Sequence, residues 1–326
     1  MPETASPNTA PRGRYAPSPT GSLHLGNAST ALLAWLSIRA RAGSFVIRME
    51  DLDRQRVRAG AADRILEDLE WLGLDWDEGP DRGGPHAPYE QSRRLPSYEA
   101  AFEALRESGR AYPCFCSRRD IAEAASAPQA PGEEARYPGT CRALDPEDAR
   151  RRISEGKQHA WRFCVDEGEA PTFVDLVRGL RAAHDVAGDF VIRRADGVPA
   201  YQLAVVVDDA AMGITEVVRG DDLLASTPRQ LLLYRALDLE PPAFGHVPLL
   251  LGADGIRLSK RHPRSSIRDL RDAGCTAETI VGRLAHLLGL AKDPSAVSGR
   301  ALVEGFALRR VVSGSDGIVV DPARWE

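Results

Sequence analysis

At 326 residues with 43% hydrophobic composition, the chain can form one large or two ordinary globular domains around a sizeable buried core. Its net charge of -5 argues against binding nucleic acid wholesale through a basic surface, although local basic patches stay open. No apolar run approaches the roughly 18 residues of a membrane-spanning helix, and no basic, hydrophobic leader opens the sequence, so a cytoplasmic protein with no membrane partner is expected.

Residues 1–11, rich in Pro, Ala, Thr and Asn without an apolar period, read as a disordered tail. From Arg14 a short strand runs into a Pro/Gly turn, and Ala28 to Arg41 has the apolar spacing of a helix. Phe45 to Met49 reads as a buried strand, Ala61 to Leu72 as an amphipathic helix stopped by Gly73, and Leu95 to Ser108 as another helix. The alternation predicts an α/β fold with a parallel sheet. At Cys114 the pattern changes to a loop-rich stretch that includes Ala125 to Arg136, and 114–193 reads as an insertion dividing the core into 12–113 and 194–250. Strands are expected again at Tyr201 to Val207 and Ile214 to Val218, then a helix from Thr227 to Leu237 with Pro228 in its first turn. Residues 251–326 offer a basic loop, one clear helix at Ala277 to Leu288 and a less regular tail.

Two stretches carry chemistry suited to a nucleotide. Ala16-Pro17-Ser18-Pro19-Thr20-Gly21-Ser22-Leu23-His24-Leu25-Gly26-Asn27 puts a histidine and two glycines where a strand meets a helix. Free amides and the helix dipole favour an anion there, glycine permits close approach, and histidine donates to phosphoryl oxygens. Alone, the stretch reads equally well as a turn with an incidental His24. Further on, Arg257-Leu258-Ser259-Lys260-Arg261 follows the turn Gly252 to Gly255; a lysine on such a loop can neutralise the charge of a departing pyrophosphate, or the pentapeptide is a solvated basic turn. Lysine occurs only at positions 157, 260 and 292 of this arginine-rich chain, which makes Lys260 mildly informative.

Five cysteines are too few for a disulfide framework and leave reduced thiols or a metal site. Cys114, Cys116 and Cys141 lie close together, a moderately strong metal signal because thiolates suit tetrahedral zinc; Cys164 and Cys275 read as core residues.

With both nucleotide signals on one chain, the sequence resembles the class I aminoacyl-tRNA synthetases: His24 to Asn27 meets their first signature and Arg257 to Arg261 their second. Asn27 replaces the usual closing histidine, and Arg257 and Leu258 replace lysine and methionine, so altered detail and retained activity are expected. The resemblance narrows to the glutamyl branch through Arg14 to Gly21, Arg48 to Arg54, Tyr201 to Asp209 and Val218 to Asp222. It implies a Rossmann-like catalytic core whose pocket holds glutamate: Arg14 and Arg219 on the carboxylates, Glu50 on the ammonium, with Ala16, Ser18 and Tyr201 completing it. Arginine's planar fork suits a carboxylate, and an acid suits the ammonium. It also implies ATP, with Mg2+, at His24, Gly26, Asn27, Ser259 and Lys260, of which His24 and Lys260 are the catalytic pair.

Residues 262–326 are too few for the anticodon-binding domain that follows in ordinary glutamyl enzymes, since a separate domain needs about 100 to 150 residues. The chain therefore looks like the shortened glutamyl-queuosine tRNA(Asp) synthetase family, which loads glutamate onto the queuosine base of tRNA(Asp). That family has a zinc site of three cysteines and a tyrosine, matched by Cys114, Cys116, Tyr137 and Cys141, with His159 or water open as the fourth ligand. A structural zinc, a helical C-terminal part that contacts the RNA stem, and a monomer are the expectations. Two other readings stay open: a glutamyl-tRNA synthetase without its anticodon domain, charging tRNA(Glu), or a non-catalytic zinc-containing RNA-binding module.

Overall fold

Strands β1 (Arg12–Tyr15) and β2 (Ser44–Ile47) lie side by side in parallel, joined by helix α1 (Leu25–Arg39). They belong to a computed structural model that describes residues 10–117, 119–121, 137–182, 188–258, 262, 264–312 and 317–325. The tail 1–9, the stretch 122–136, Ser259 and Lys260 lie outside the described residues.

Helix α1 is apolar on every side, with Leu25, Leu33, Trp35 and Leu36 inaccessible to solvent, so it has to be enclosed on every side. It lies directly on β1: a Cβ on Gly13 would stand 2.4 Å from Ile38 Cγ1, so only glycine fits that crossing.

After α1 and β2 come α2 (Ala61–Trp71), α3 (Leu95–Glu107), β3 (Ala111–Cys114), α4 (Pro146–Ser154), β4 (Ala160–Phe163), β5 (Thr172–Asp175), β6 (Gly179–Ala182) and β7 (Phe190–Arg193). The second half brings α5 (Tyr201–Ala211), β8 (Glu216–Gly220), α6 (Thr227–Ala236), β9 (Ala243–Val247), β10 (Leu250–Leu251), α7 (Ile267–Asp272), α8 (Ala277–Leu287), α9 (Gly299–Val303) and β11 (Ile318–Val319).

The main sheet runs β2-β1-β8-β9-β5-β6; all neighbouring pairs are parallel except β5 with β6. Alternate residues of its strands divide between two cores. Phe45 and Ile47 join the core formed with α1, α2, α7 and α8, whereas Val46 joins the core with α3, α5 and α6. That pattern is a sheet covered on both faces, and its parallel α/β character is what the alternation predicted.

Two expectations change. Tyr201 to Val207, read as a strand because of its valines, opens helix α5; Leu203, Ala204, Val205 and Val206 are all buried, so the run is apolar because the helix is enclosed, and packing outweighs the β preference of valine. The stretch expected as an insertion, 114–193, supplies two sheets. β4 and β7 pair with β3 in a separate antiparallel sheet, but β5 and β6 extend the main sheet beyond β9.

Candidate active site

The chain leaves β1 for β2 on one side, and β8 later takes the place on the other side of β1. Beyond the carboxyl ends of two strands that part in this way, the following loops diverge and leave a crevice. A cleft of about 950 Å³ opens there. From β1 and its loop it is lined by Arg14, Ala16 and Ser18, from the start of α1 by His24 and Asn27, and from the end of β8 by Arg219; Glu50 and Tyr201 also face it. Gly26 sits in the first turn of α1, where an added Cβ would be 3.5 Å from His24 Nδ1.

Of the arginines that line this cleft, Arg14 and Arg219 are buried, and they and the buried Arg48 beside them are differently employed. Arg14 donates from Nε to Asp209 Oδ1 at 3.2 Å and from Nη2 to Oδ2 at 3.5 Å, which leaves Nη1 and the second hydrogen of Nη2 for anything in the cleft. Arg48, fully buried, donates from Nη1 to Asp209 Oδ1 at 2.6 Å and from Nη2 to Glu50 Oε1 at 3.2 Å. Burial pushes the Glu50 carboxyl above its usual range, although Arg48 and Arg14 oppose the shift. Neighbouring Asp208 accepts from Arg94 Nε at 2.6 Å, Gln91 Nε2 at 2.8 Å and the Tyr98 hydroxyl at 2.8 Å. Helix α5 thus presents Tyr201 to the cleft at one end and anchors the arginines with two aspartates at the other.

Arg219 has no carboxylate partner among the described residues. Its Nε donates to His246 Nε2 at 3.0 Å and its Nη2 to Thr227 Oγ1 at 2.8 Å, while Nη1 is buried with no hydrogen-bond partner. Burial lowers its pKa, and the neighbouring Arg14 charge adds to the effect. Behind it, His246 Nδ1 is 2.5 Å from Asp175 Oδ2, and both residues are buried. Burial lowers the pKa of His246 against the pull of Asp175; burial likewise opposes the Asp175 charge, yet the hydrogen bond from His246 and the amides of Arg178 and Val177 hold that carboxyl below its usual range.

At the other end of the cleft, His24 caps α1, and no acidic residue stands in the helix's first turn to oppose an anion. The first signature is joined here to the segment that follows the second: Leu25 N donates to Ser265 O at 2.9 Å and Ile267 N to Leu23 O at 2.8 Å, around a bridge between His24 and Ser266. On the near side Leu258 is buried and bonds Leu250 O at 2.9 Å, and Arg257 pairs with Asp222. The basic loop is therefore fixed at both feet beside the cleft, while Ser259 and Lys260 themselves are outside the described residues.

Away from the cleft, at the end of β3, the sulfurs of Cys114, Cys116 and Cys141 lie within 4.8 Å of one another. The Tyr137 hydroxyl is 3.3 Å from Cys114 Sγ and 3.8 Å from Cys116 Sγ, and Cys116 and Cys141 are 3.6 Å apart. Zinc with Zn–S bonds of about 2.3 Å spaces tetrahedral sulfurs about 3.8 Å apart, so the four groups fit such an ion. The Phe115 amide and the Tyr137 hydroxyl hold the Cys141 thiol below its usual pKa against its burial, whereas burial pushes Cys116 up to about 11. His159 turns elsewhere: its ring lies against Phe115 and Trp161, and its Nδ1 is 3.0 Å from Lys157 O.

Comparison with known proteins gives the family. Residues 11–312 match the family described as tRNA synthetases class I (E and Q), catalytic domain. The Glutamyl-Q tRNA(Asp) synthetase of Symbiobacterium thermophilum is 54% identical over 92% of this chain and 93% of that protein. The Glutamate--tRNA ligase 2 of Acidithiobacillus ferrooxidans is 48% identical over 92% of this chain but only 62% of that protein. Among solved structures, a glutamate-tRNA synthetase from Elizabethkingia anophelis superposes with a TM-score of 0.84 at 31% identity, covering 97% of this chain and 70% of that one. A cleft at the sheet's switch point, lined by residues of both signatures, and a match from residue 11 to residue 312 leave one assignment: the chain belongs to the class I tRNA synthetases of the glutamyl and glutaminyl branch and is an enzyme of the ligase type.

Proposed function

We propose that this enzyme activates glutamate with ATP and transfers the glutamyl group to the queuosine base of tRNA(Asp). The observation that carries the glutamate half is the buried, unpartnered Nη1 of Arg219 in a cleft that Glu50 and Tyr201 also line. An unsatisfied buried cation N–H costs free energy that a substrate carboxylate would recover. Arg14 Nη1 serves the second carboxylate and Glu50 the ammonium, with Ala16, Ser18 and Tyr201 as the remaining walls. The substrate's α-carboxylate oxygen attacks the α-phosphorus of ATP in line and pyrophosphate leaves; a queuosine hydroxyl then attacks the acyl carbon, gives its proton to solvent and releases AMP. Positioning and charge neutralisation are all the protein has to supply. His24, Gly26 and Asn27 receive the phosphates at the α1 N-terminus, and Ser259 and Lys260 the departing pyrophosphate, with Mg2+ accompanying ATP.

The queuosine half rests on the 54% identity to a protein named for that reaction, beside 48% to a glutamate ligase. Glutamylation assays decide it. Labelled glutamate is offered with tRNA(Asp) carrying queuosine, tRNA(Asp) lacking it, and tRNA(Glu); incorporation only into the first is expected. Incorporation into tRNA(Glu) alone would assign the enzyme to ordinary charging instead, and no glutamate-dependent pyrophosphate exchange at all would remove the activity itself.

Glu50 gives a pH prediction. The ammonium binds its ionised form, so glutamate affinity should be full above the raised pKa of Glu50 and should weaken as pH falls through it. In Glu50→Gln that decline should vanish and the glutamate KM should stay high throughout. KM measured between pH 5 and 8 checks this, and a parallel acid-side rise in both proteins would remove Glu50 from the pocket.

We also assign a zinc ion to Cys114, Cys116, Cys141 and Tyr137, where it would tie the end of β3 to the 137–141 loop. Cys141→Ser should purify with well under one zinc per chain by mass spectrometry, should be cleaved faster by protease near residues 115–141, and should keep glutamate-dependent pyrophosphate exchange within about threefold, as for a structural site remote from the chemistry. Loss of exchange with full zinc content would contradict this division of labour.

A further inference from the structure

Arg219 is held from behind by a chain of hydrogen bonds whose direction is fixed by chemistry. Asp175, in β5, uses Oδ1 to accept the amides of Val177 at 2.9 Å, Arg178 at 2.8 Å and His246 at 3.2 Å. Its Oδ2 faces His246 Nδ1 at 2.5 Å. An ionised carboxylate only accepts, so Nδ1 carries the imidazole proton. A guanidinium only donates, so His246 Nε2, 3.0 Å from Arg219 Nε, has to be the bare nitrogen. Thr227 Oγ1 then completes the set: it accepts from Arg219 Nη2 at 2.8 Å and donates to Nε2 at 3.2 Å.

We propose that Asp175 and His246 are positioning residues for the substrate carboxylate: Asp175 locks His246 in its Nδ1–H tautomer, and the bare Nε2 holds the Arg219 guanidinium with Nη1 turned to the cleft. The proposal rests on the reading that Arg219 binds a carboxylate of glutamate. The lock depends on the charge of Asp175 and not merely on its size. In Asp175→Asn the three backbone amides keep the side-chain oxygen at the Oδ1 position. The new amide nitrogen then stands where Oδ2 was and donates to Nδ1, and the ring proton moves to Nε2, where it points at Arg219 Nε–H. An acceptor has become a donor facing a donor, and the guanidinium has to turn away.

Two measurements test this. The ¹⁵N spectrum of histidine-labelled protein should show the parent His246 as the neutral Nδ1–H tautomer and Asp175→Asn as the Nε2–H tautomer. In glutamate-dependent pyrophosphate exchange, Asp175→Asn should raise the glutamate KM by roughly 10- to 100-fold, the range for losing an orienting partner behind a liganding group, with a smaller change in kcat and the ATP KM unaltered. His246→Gln, whose amide can donate to Asp175 and still accept from Arg219, should stay within a few-fold of the parent KM, and His246→Leu should match Asp175→Asn. If Asp175→Asn does not fold, the contrast between the glutamine and leucine variants decides alone. An unchanged glutamate KM in Asp175→Asn, or equal KM values for the two His246 variants, overturns the proposal, as does a parent spectrum of the opposite tautomer. A parent with the expected tautomer but no glutamate-dependent exchange would instead overturn the glutamate reading.

Discussion

Replacing Arg219 with alanine is expected to raise the glutamate requirement of pyrophosphate exchange by roughly 30- to several-thousand-fold while the protein stays folded. The size follows from losing one member of a buried, hydrogen-bonded charge pair, about 2–5 kcal/mol, at a factor of ten for every 1.4 kcal/mol. Folding is expected to survive because Arg219, unlike Arg14 and Arg48, has no protein carboxylate within ion-pair distance among the described residues, and burial lowers its pKa. The fold keeps this cation at a cost, so its removal relieves a buried charge and leaves no uncompensated anion behind. Arg219→Lys should not restore the KM, because Nε and Nη2 are separately engaged by His246 and Thr227 and a single ammonium cannot reproduce that fork. Urea midpoints and KM measured on the same preparations check both halves. A KM close to that of the parent would place the substrate carboxylate somewhere else.

Much of the scaffold of this cleft was legible in the sequence. The strand, turn and helix from Arg14 to Arg41, and the helices near 61–72, 95–108 and 277–288, appear within a few residues of their expected bounds, because their apolar spacing and their Gly and Pro stops are local signals. What sequence reading left out is the layer behind the cleft. Asp175, Thr227 and His246 come from different elements, β5, α6 and β9, and meet Arg219 only through the order of the sheet; reading 114–193 as one insertion hid the fact that β5 lies beside β9. A signal did exist. Arg48 in Phe45 to Met49 and His246 in Phe244 to Leu251 are lone polar residues within apolar runs, and such a residue in a buried strand has to find a partner. The helix at Tyr201 was missed for a related reason: three consecutive valines favour a strand locally, and only the tertiary packing shows that the element is enclosed.

The largest stability effect is expected at Asp209, which lies behind the pocket and joins two of its arginines. Its Oδ1 accepts Arg48 Nη1 at 2.6 Å and Arg14 Nε at 3.2 Å, with all three side chains buried. Burial alone would raise its pKa, but the charges of Arg14 and Arg48 hold the carboxyl below the usual range. Asp209→Asn keeps the shape and removes the charge, leaving two buried guanidinium groups with less anion than they need, a change that costs about 3–5 kcal/mol in comparable sites. A carboxylate with a depressed folded pKa contributes its stability above its unfolded pKa of about 3.9, and that contribution is lost as pH falls through the lower folded value. The gap in urea stability between parent and Asp209→Asn should therefore be constant around neutrality and should shrink as pH falls below about 4. At neutral pH the variant should also bind glutamate more weakly, because Arg14 is no longer held in place. A gap that stayed constant into acid, or no gap at all, would mean that the ionised carboxylate is not what holds Arg14 and Arg48 beneath the cleft.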